Sequence, residues 1–267
     1  MKRTHDFAAG RIRAACQAGT GILAIANPER KNALTAAMWR AIPEAIHWLC
    51  SEGDVRVIVL IGAGDRDFSA GADISEFPTV RKDAATARLY EDENSKAFAA
   101  IRNAPVPVIA AIRGICYGGG FGLAAAADLR IAAEGAAFAV PAARLGLAYP
   151  ADAVQDFVLS LGTQLARMAL YSGAAMSPAQ LLACGFLLEV TPLEALEAEA
   201  MKLAETIAAN APLSVRASKL AIRAACQQDM DLLREAEVIG AATFDSADYA
   251  EGRAAFAEKR KPRFIGR

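Results

Sequence analysis

The sequence is poor in cysteine and histidine. Its five cysteines, out of 267 residues, are scattered along the chain without a C-x-x-C pair, and their number is odd. This pattern favours free thiols in a reducing compartment over disulfides or a zinc site. Histidine occurs only twice, and neither His5, near the terminus and expected to be disordered, nor His47, on a helix face, is expected to act in catalysis. We therefore predict no metal site and a cytoplasmic location.

An excess of charge of either sign is also lacking. The chain has 29 Lys and Arg residues against 30 Asp and Glu residues, and no basic stripe stands out. This balance disfavours nucleic acid or an anionic membrane surface as the main partner. The segment Met1–Gly10 has no apolar stretch behind its basic residues, so we expect no signal peptide. The Ala-rich run after Gly120 is soon interrupted by Asp128 and Arg130, and it is too short to span a membrane.

Apolar residues are abundant, at 54% of the chain, and they are arranged in alternating strand and helix patterns. Apolar runs at 21–26, 55–61, 106–112, 129–132 and 137–140 predict strands. Helices are predicted after Thr35, with Pro43 in the interior, over 79–103, and through most of the chain beyond Asp152. The alternation predicts an α/β fold with stacked sheets, in which residues 1–194 form one core and residues 195–267 form a C-terminal helical region.

A doubly wound dinucleotide-binding fold is the rival architecture. It requires G-x-G-x-x-G early in the chain, followed about twenty residues later by an acidic residue. The glycine cluster of this chain comes too late, and its glycines stand too close together. We therefore disfavour that fold.

The most informative stretch is Arg113-Gly114-Ile115-Cys116-Tyr117-Gly118-Gly119-Gly120-Phe121-Gly122. It follows a β-branched apolar run and precedes an Ala/Leu run, so the glycines fall where a buried strand gives way to a helix. The first amides of a helix lack intrahelical partners and lie at the positive end of its dipole. The stretch therefore predicts a site for developing negative charge, with a tight packing turn as the alternative.

Three motifs together resemble the enoyl-CoA hydratase/isomerase (crotonase) superfamily. They are Phe68-Ser69-Ala70-Gly71-Ala72-Asp73-Ile74, the glycine stretch, and Asp128-Leu129-Arg130-Ile131-Ala132. Similar segments continue in order to the tail around Phe256–Phe264, so the resemblance covers nearly the whole chain. It implies a spiral core of repeated β-β-α units, acyl-CoA thioester substrates with no separate cofactor, and a homotrimer or a dimer of trimers. The C-terminal helices are expected at the subunit contacts.

The resemblance also assigns roles to residues. It implies that the backbone amides of Ala72 and Gly119 hold the thioester oxygen. It places CoA contacts in two groups: Arg30, Lys31 and Ala33 in one, and Ala70, Asp73 and Ile74 in the other. Arg30 and Lys31 can equally form a solvated basic turn. Asp73 is also a candidate helix N-cap, which is the interpretation we favour. Lys259 and Phe264 lie in a tail that can approach the CoA of a neighbouring subunit, or that is simply a mobile basic terminus.

The sequence departs from the family at the two positions where hydratases carry catalytic glutamates. These positions are occupied by Gly122 and Ala142, neither of which can move a proton. Asp152 is the nearest replacement for an acid/base, although it can equally cap the following helix. Tyr149 and Tyr117 could supply a phenol but are expected to pack, and Cys116 is expected to be buried and inert. Glu91, Asp92 and Glu93 lie on a polar segment that, by the resemblance, borders the acyl pocket, although we expect a solvated helix face there.

These observations predict an acyl-CoA-processing enzyme with a backbone oxyanion hole and a non-standard acid/base set. The alternatives are an acyl-CoA-binding protein without hydratase activity, or another reaction of the superfamily such as thioester hydrolysis, decarboxylation or C–C cleavage. The sequence does not specify the acyl group.

Overall fold

The structure is a computed structural model that describes residues 2–51 and 55–267. Two parts of the chain lie outside the described residues. One is Met1, which begins the Met1–Gly10 segment where we expect no signal peptide. The other is 52–54, which belongs to the predicted core. The strands within the described ranges are β1 Arg3–Phe7, β2 Ile12–Gln17, β3 Thr20–Ile25, β4 Val57–Gly62, β5 Val108–Ile112, β6 Ile115–Tyr117, β7 Leu129–Ala133, β8 Ala137–Ala139 and β9 Glu189–Thr191. The α-helices are α1 Ala36–Ser51, α2 Phe77–Val80, α3 Ala84–Arg102, α4 Gly119–Ala126, α5 Ala151–Ser172, α6 Pro178–Ala183, α7 Leu196–Ala208, α8 Pro212–Gln227, α9 Met230–Ala242 and α10 Ala247–Ala257.

The strands form two sheets, one large and one small. The larger sheet has the order β1-β2-β3-β4-β5-β7-β9, antiparallel from β1 to β3 and parallel from β3 onward. The smaller sheet pairs β6 with β8 in parallel. The predicted α/β fold with strand–strand–helix repeats and C-terminal helices is confirmed.

The N-terminal residues are ordered in two strands that were not predicted. Ile12, Ala14 and Cys16 alternate with more exposed residues along β2 and are buried against the core. The expectation that His5 lies in a disordered terminus is wrong, because His5 belongs to β1 and its ring stacks on Trp48 at 5.6 Å. The sequence signal for β2 was the alternation of apolar and polar residues with period two. Ala14 is only weakly hydrophobic, so this alternation was hard to recognise.

Helix α1 forms as predicted, beginning one residue after Thr35. The Thr35 hydroxyl accepts a hydrogen bond from the amide of Met38 at 3.3 Å, as an N-cap does. The apolar face carries Met38, Trp39 and Ile42, which are fully buried. Pro43 lies inside the helix. This face places Trp39 beneath the glycine stretch.

The glycine stretch makes the predicted transition from strand to helix, with one addition. Strand β5 ends at Ile112, and the short strand β6 intervenes before Gly118 caps α4. Helix α4 is almost entirely buried and contains only small and apolar residues. Arg130 binds the C-terminal end of α4, donating hydrogen bonds to the carbonyls of Ala124 and Ala127 at 3.3 and 2.6 Å. The N-terminus of α4 therefore sits in a fixed position.

The C-terminal region is helical, but its first helix belongs to the sheet. Leu196, Ala200 and Ala204 of α7 are buried with Val59, Ile109 and Ile131 in a second apolar cluster, on the face of the large sheet opposite α1. Helices α8 to α10 follow. The division at residues 194 and 195, and an oligomerisation role for 195–267, stay predictions. No described helix is long and apolar enough to cross a membrane.

Candidate active site

Two backbone amides meet at the N-terminus of α4. The amide nitrogen of Ala72 lies 3.8 Å from the position that a Cβ atom on Gly119 would occupy. Within the described residues, neither the Ala72 nor the Gly119 amide donates a hydrogen bond. Paired unsatisfied N–H groups at a helix N-terminus are suited to hold an oxyanion. This is the pair of donors that the resemblance implied.

The Ala72 amide is held by the segment that precedes α1. The Leu34 amide donates to the Gly71 carbonyl at 2.7 Å, and the Asp73 amide donates to the Leu34 carbonyl at 2.8 Å. Gly71 has φ +84°, and a Cβ there would lie 2.8 Å from the Gly119 nitrogen. Only glycine fits at position 71, because it accepts the positive φ and leaves the Gly119 amide accessible.

An aromatic ring supports Gly119 from behind. A Cβ on Gly119 would lie 2.7 Å from the ring atoms Cη2 and Cζ2 of Trp39. The indole Nε1 of Trp39 donates a hydrogen bond to the Tyr90 hydroxyl at 2.9 Å. Burial raises the pKa of Tyr90 to about 12, so the phenol stays neutral. The hydrogen-bonded side chains of Trp39 and Tyr90 therefore form a fixed aromatic surface beneath the amides of Ala72 and Gly119.

Both amides open into a cavity of about 110 Å³. Its walls come from the 70–74 segment, from α2 and α3, from Gly118 and Gly119, and from the 141–150 segment. Most of the surface is apolar, with Phe77 and Phe98 among the larger contributors, and the polar side chains are Arg81, Glu91, Asn94 and Tyr149. An apolar lining with a few polar groups is typical of a site for a small molecule.

Gly122 and Ala142, the positions where the resemblance implies glutamates in hydratases, carry no carboxylate. Ala142 lines the cavity. Gly122 lies on α4, and a Cβ on it would lie 2.3 Å from the Tyr149 hydroxyl and 2.8 Å from the Phe98 ring. The Tyr149 side chain therefore fills the space that a side chain at position 122 would need.

Tyr149 is both a packing aromatic and a polar group of the cavity. Its hydroxyl donates a hydrogen bond to the Gly118 carbonyl at 2.9 Å. Its ring packs on Phe157, with centroids 5.4 Å apart. Burial, supported by nearby acidic groups, raises the pKa of Tyr149 well above its usual range. The phenol is therefore protonated across the neutral range.

Asp152 lies outside the set of residues that line this cavity. Its carboxylate accepts a hydrogen bond from the Ser95 hydroxyl at 2.9 Å and lies 3.6 Å from Arg102. Arg102 makes two hydrogen bonds of 2.7 Å to Asp156, which is buried. Asp152 therefore takes part in a polar network between α3 and α5, and the structure does not bring it together with Ala72 and Gly119.

Two other predictions concern reactive side chains. Cys116 is fully buried, and burial raises the pKa of its thiol well above the usual value, which suits an inert residue. The expectation that Glu91 lies on a solvated face is wrong, because Glu91 lines the cavity and pairs with Arg81. Among the described residues, no group of three His, Cys, Asp or Glu side chains could hold a metal ion.

The residues assigned to CoA by resemblance fall into two groups. Ala70 and Ile74 line the cavity, and Ile74 is 65% exposed at its rim. Asp73 is buried, caps the turn that follows it by accepting from the Ser75 amide at 3.1 Å, and pairs with Arg30 at 3.2 Å. The N-cap interpretation of Asp73 is confirmed.

Lys31 and Ala33 lie beside this segment. The Lys31 carbonyl accepts a hydrogen bond from the Ala70 amide at 2.9 Å, while the Lys31 side chain is exposed and Ala33 is buried. Arg30, in the preceding turn, is half exposed. The turn therefore lies beside the 70–74 segment that lines the cavity, to which it is joined by the Lys31 carbonyl and the Arg30 side chain.

Lys259 and Phe264 are not brought to this cavity within the chain. Phe264 packs near Ala211 and Ser214 of the α8 region, and its carbonyl accepts a hydrogen bond from Arg56 at 2.7 Å. Lys259 is exposed after α10. A role for either residue at the CoA of a neighbouring subunit stays a prediction.

Comparison with known proteins agrees with this geometry. Residues 16–267 match the family model described as enoyl-CoA hydratase/isomerase. The chain is 33% identical over 248 residues to crotonyl-CoA hydratase of Syntrophomonas wolfei, covering 92% of this chain and 94% of that protein. It is 30% identical over 217 residues to methylmalonyl-CoA decarboxylase of Escherichia coli, covering 80% and 82% respectively.

A solved structure shows the same fold. The crystal structure of a putative enoyl-CoA hydratase/isomerase family protein from Hyphomonas neptunium superimposes with a TM-score of 0.91 and 36% identity, covering 96% of this chain and 98% of that one. The fold and the paired amides define a protein of the crotonase class. The chain belongs to the enoyl-CoA hydratase/isomerase family.

Proposed function

We propose that this chain is an enzyme that binds short acyl-CoA thioesters and stabilises their enolates between the amides of Ala72 and Gly119. The observation that carries the proposal is that both amides are unsatisfied and open into the same small cavity. When an enolate forms, negative charge develops on the thioester oxygen. One fixed donor aimed at such an oxygen is worth about 2.7–4 kcal/mol of transition-state stabilisation.

The reaction we propose is decarboxylation of a malonyl-type acyl-CoA. Hydration by two carboxylates requires proton-transfer groups that Gly122 and Ala142 do not provide. Loss of CO2 needs no base, because the electron pair of the breaking C–C bond becomes the enolate. The reaction therefore requires only that the protein provide an oxyanion hole, a cavity that excludes water and a source of one proton. The relative named as a decarboxylase supports this choice, and the several relatives named as hydratases support the rival one.

Tyr149 is the group we propose to assist the final protonation of the enolate carbon. Its hydroxyl is neutral at physiological pH and lines the cavity beside Gly118. The proton it gives is replaced from solvent. Asp152, the acid/base candidate from the sequence, does not line the cavity, which favours Tyr149 for this role.

For the CoA moiety, we propose binding near the basic turn at Arg30 and Lys31 and along Ala33, Ala70 and Ile74. For assembly, we propose a trimer or a dimer of trimers through the C-terminal helices. Large apolar side chains are exposed there, including Ile222, Val238, Phe244 and Phe256. Light scattering that gives a monomer at micromolar concentration would contradict this assembly.

The reaction is tested by incubation with malonyl-CoA, methylmalonyl-CoA and crotonyl-CoA in D2O, with mass spectrometry of the products. We expect acetyl-CoA and propionyl-CoA that carry one deuterium on the α-carbon, and crotonyl-CoA hydration at least about 10²-fold slower. Rapid hydration without loss of CO2 would favour hydratase activity with unidentified acid/base residues. Acyl-CoA binding without any turnover would favour a binding protein.

A further inference from the structure

Arg81 places a charged group in an otherwise apolar part of the cavity. It follows α2 and lines the cavity together with Ala72 and Gly119. Its guanidinium lies 4.9 Å from the ring centre of Phe77 and 4.8 Å from that of Tyr90. The side chain is only 12% exposed. Arg81 therefore contacts the ring of Tyr90, which is hydrogen-bonded to Trp39 beneath the Ala72 and Gly119 amides.

The guanidinium is short of hydrogen-bond acceptors. An arginine has five N–H donors. Within the described residues, its only hydrogen bond runs from Nη2 to a carboxylate oxygen of Glu91, and the buried Nε has no partner. An apolar acyl chain packed against this group leaves the remaining donors unpaired, which is unfavourable for a buried polar group.

Glu91 shows which chemistry this guanidinium accepts. The Glu91 carboxylate forms an ion pair with Arg81. Because the Glu91 side chain is 30% exposed, it has room to turn toward solvent. A carboxylate on the substrate can take its place, because Arg binds carboxylates through paired N–H groups.

We propose that Arg81 is a specificity-determining residue, which selects acyl-CoA thioesters whose acyl group ends in a carboxylate over apolar thioesters of equal length. The inference rests on the proposed acyl-CoA binding. In a malonyl-type substrate this carboxylate is the group that leaves as CO2.

The test compares the binding of succinyl-CoA and butyryl-CoA by calorimetry. The two acyl groups have the same number of carbon atoms, and the succinyl group lacks the malonyl arrangement, so it is not decarboxylated by the proposed reaction. We expect succinyl-CoA to bind at least about tenfold more tightly, the fold-change of one hydrogen bond between charged groups. Arg81→Met should remove the preference by weakening succinyl-CoA alone. Glu91→Gln should increase it, because the competing anion is gone.

Arg40→Gln is the matched control. Arg40 also pairs with a glutamate of α3, Glu93, at 2.9 Å, but neither residue lines the cavity. The preference should survive this change. If Arg81→Met does not fold, Arg81→Lys keeps the charge without the planar fork and should reduce the preference. Equal affinity of the wild-type protein for both thioesters, or a full preference in the Arg81 variants, overturns the inference and leaves the proposed function intact. Failure of both thioesters to bind overturns both.

Discussion

The hydroxyl of Tyr149 lies 2.3 Å from the point where a Cβ atom on Gly122 would be. The two residues therefore share one space, and the side chain at position 149 fills the volume that glycine leaves at position 122. The resemblance implies a glutamate at position 122 in hydratases of the family. Here a neutral phenol lies beside the amide pair instead, and this exchange is the reason we propose an enolate reaction without a carboxylate base.

The first prediction concerns this shared space. Gly122→Ala should lower the free energy of unfolding by about 1–3 kcal/mol, as overpacking does, and should cost less in a Tyr149→Phe background. Chemical denaturation of the two single variants and the double variant measures the coupling. Gly240→Ala is the control, since Gly240 lies in α9 with open space around it and should gain up to about 1 kcal/mol. Additive effects of Gly122→Ala and Tyr149→Phe would argue against the shared space.

One consequence concerns the restoration of hydratase activity. Gly122→Glu with Ala142→Glu leaves the Tyr149 hydroxyl in the way of the first carboxylate. The pair should produce hydratase turnover only when Tyr149 is also replaced by a smaller residue.

The second prediction separates the two candidates for the proton donor. Tyr149→Phe should lower kcat for decarboxylation by about 10²-fold or more while leaving acyl-CoA affinity nearly unchanged. Asp152→Asn should change kcat little, because Asp152 contacts Ser95 and Arg102 outside the cavity. Steady-state kinetics on both variants decides between them. Loss of turnover in Asp152→Asn with normal binding would return the acid/base role to Asp152.

The third prediction concerns the oxyanion hole. Gly119→Ala puts a methyl group 2.7 Å from the Trp39 ring and should displace either the ring or the amide. A misplaced donor should lower kcat by about 10²–10³-fold. The same Gly240→Ala variant controls for a glycine replaced within a helix. Turnover of Gly119→Ala at the wild-type rate would show that this amide does not hold the oxyanion.

The fourth prediction concerns alkaline pH. Burial raises the pKa of Tyr90 from 10.0 to about 12, and it raises that of Tyr149 as well. The unfolded chain releases these protons first, so the two phenols lower the free energy of unfolding as the pH rises above about 10. Denaturation from pH 8 to 12 measures the slope, which Tyr90→Phe should reduce. An unchanged slope in Tyr90→Phe would mean that this phenol titrates normally.

Local patterns were enough to predict the elements that rest on local chemistry. The spacing of Met38, Ile42 and Leu49 predicted α1, and the glycines at 118–120 predicted the turn into α4. The pairing of Gly122 with Tyr149 was not predictable, because nothing in either segment specifies which aromatic fills the space. Glu91 was misassigned for a similar reason. Its position depends on Arg81 folding back between two rings, which is a tertiary contact.

The amides of Ala72 and Gly119 belong to the main chain, and this has an evolutionary consequence. No base change in the gene deletes a backbone N–H except one that introduces proline. A lineage can therefore lose both catalytic carboxylates and still inherit an anion-binding site in working order. Selection then acts only on the surrounding side chains, such as those at positions 81, 91 and 149, and a new reaction is reached without rebuilding the part that all the family's reactions share.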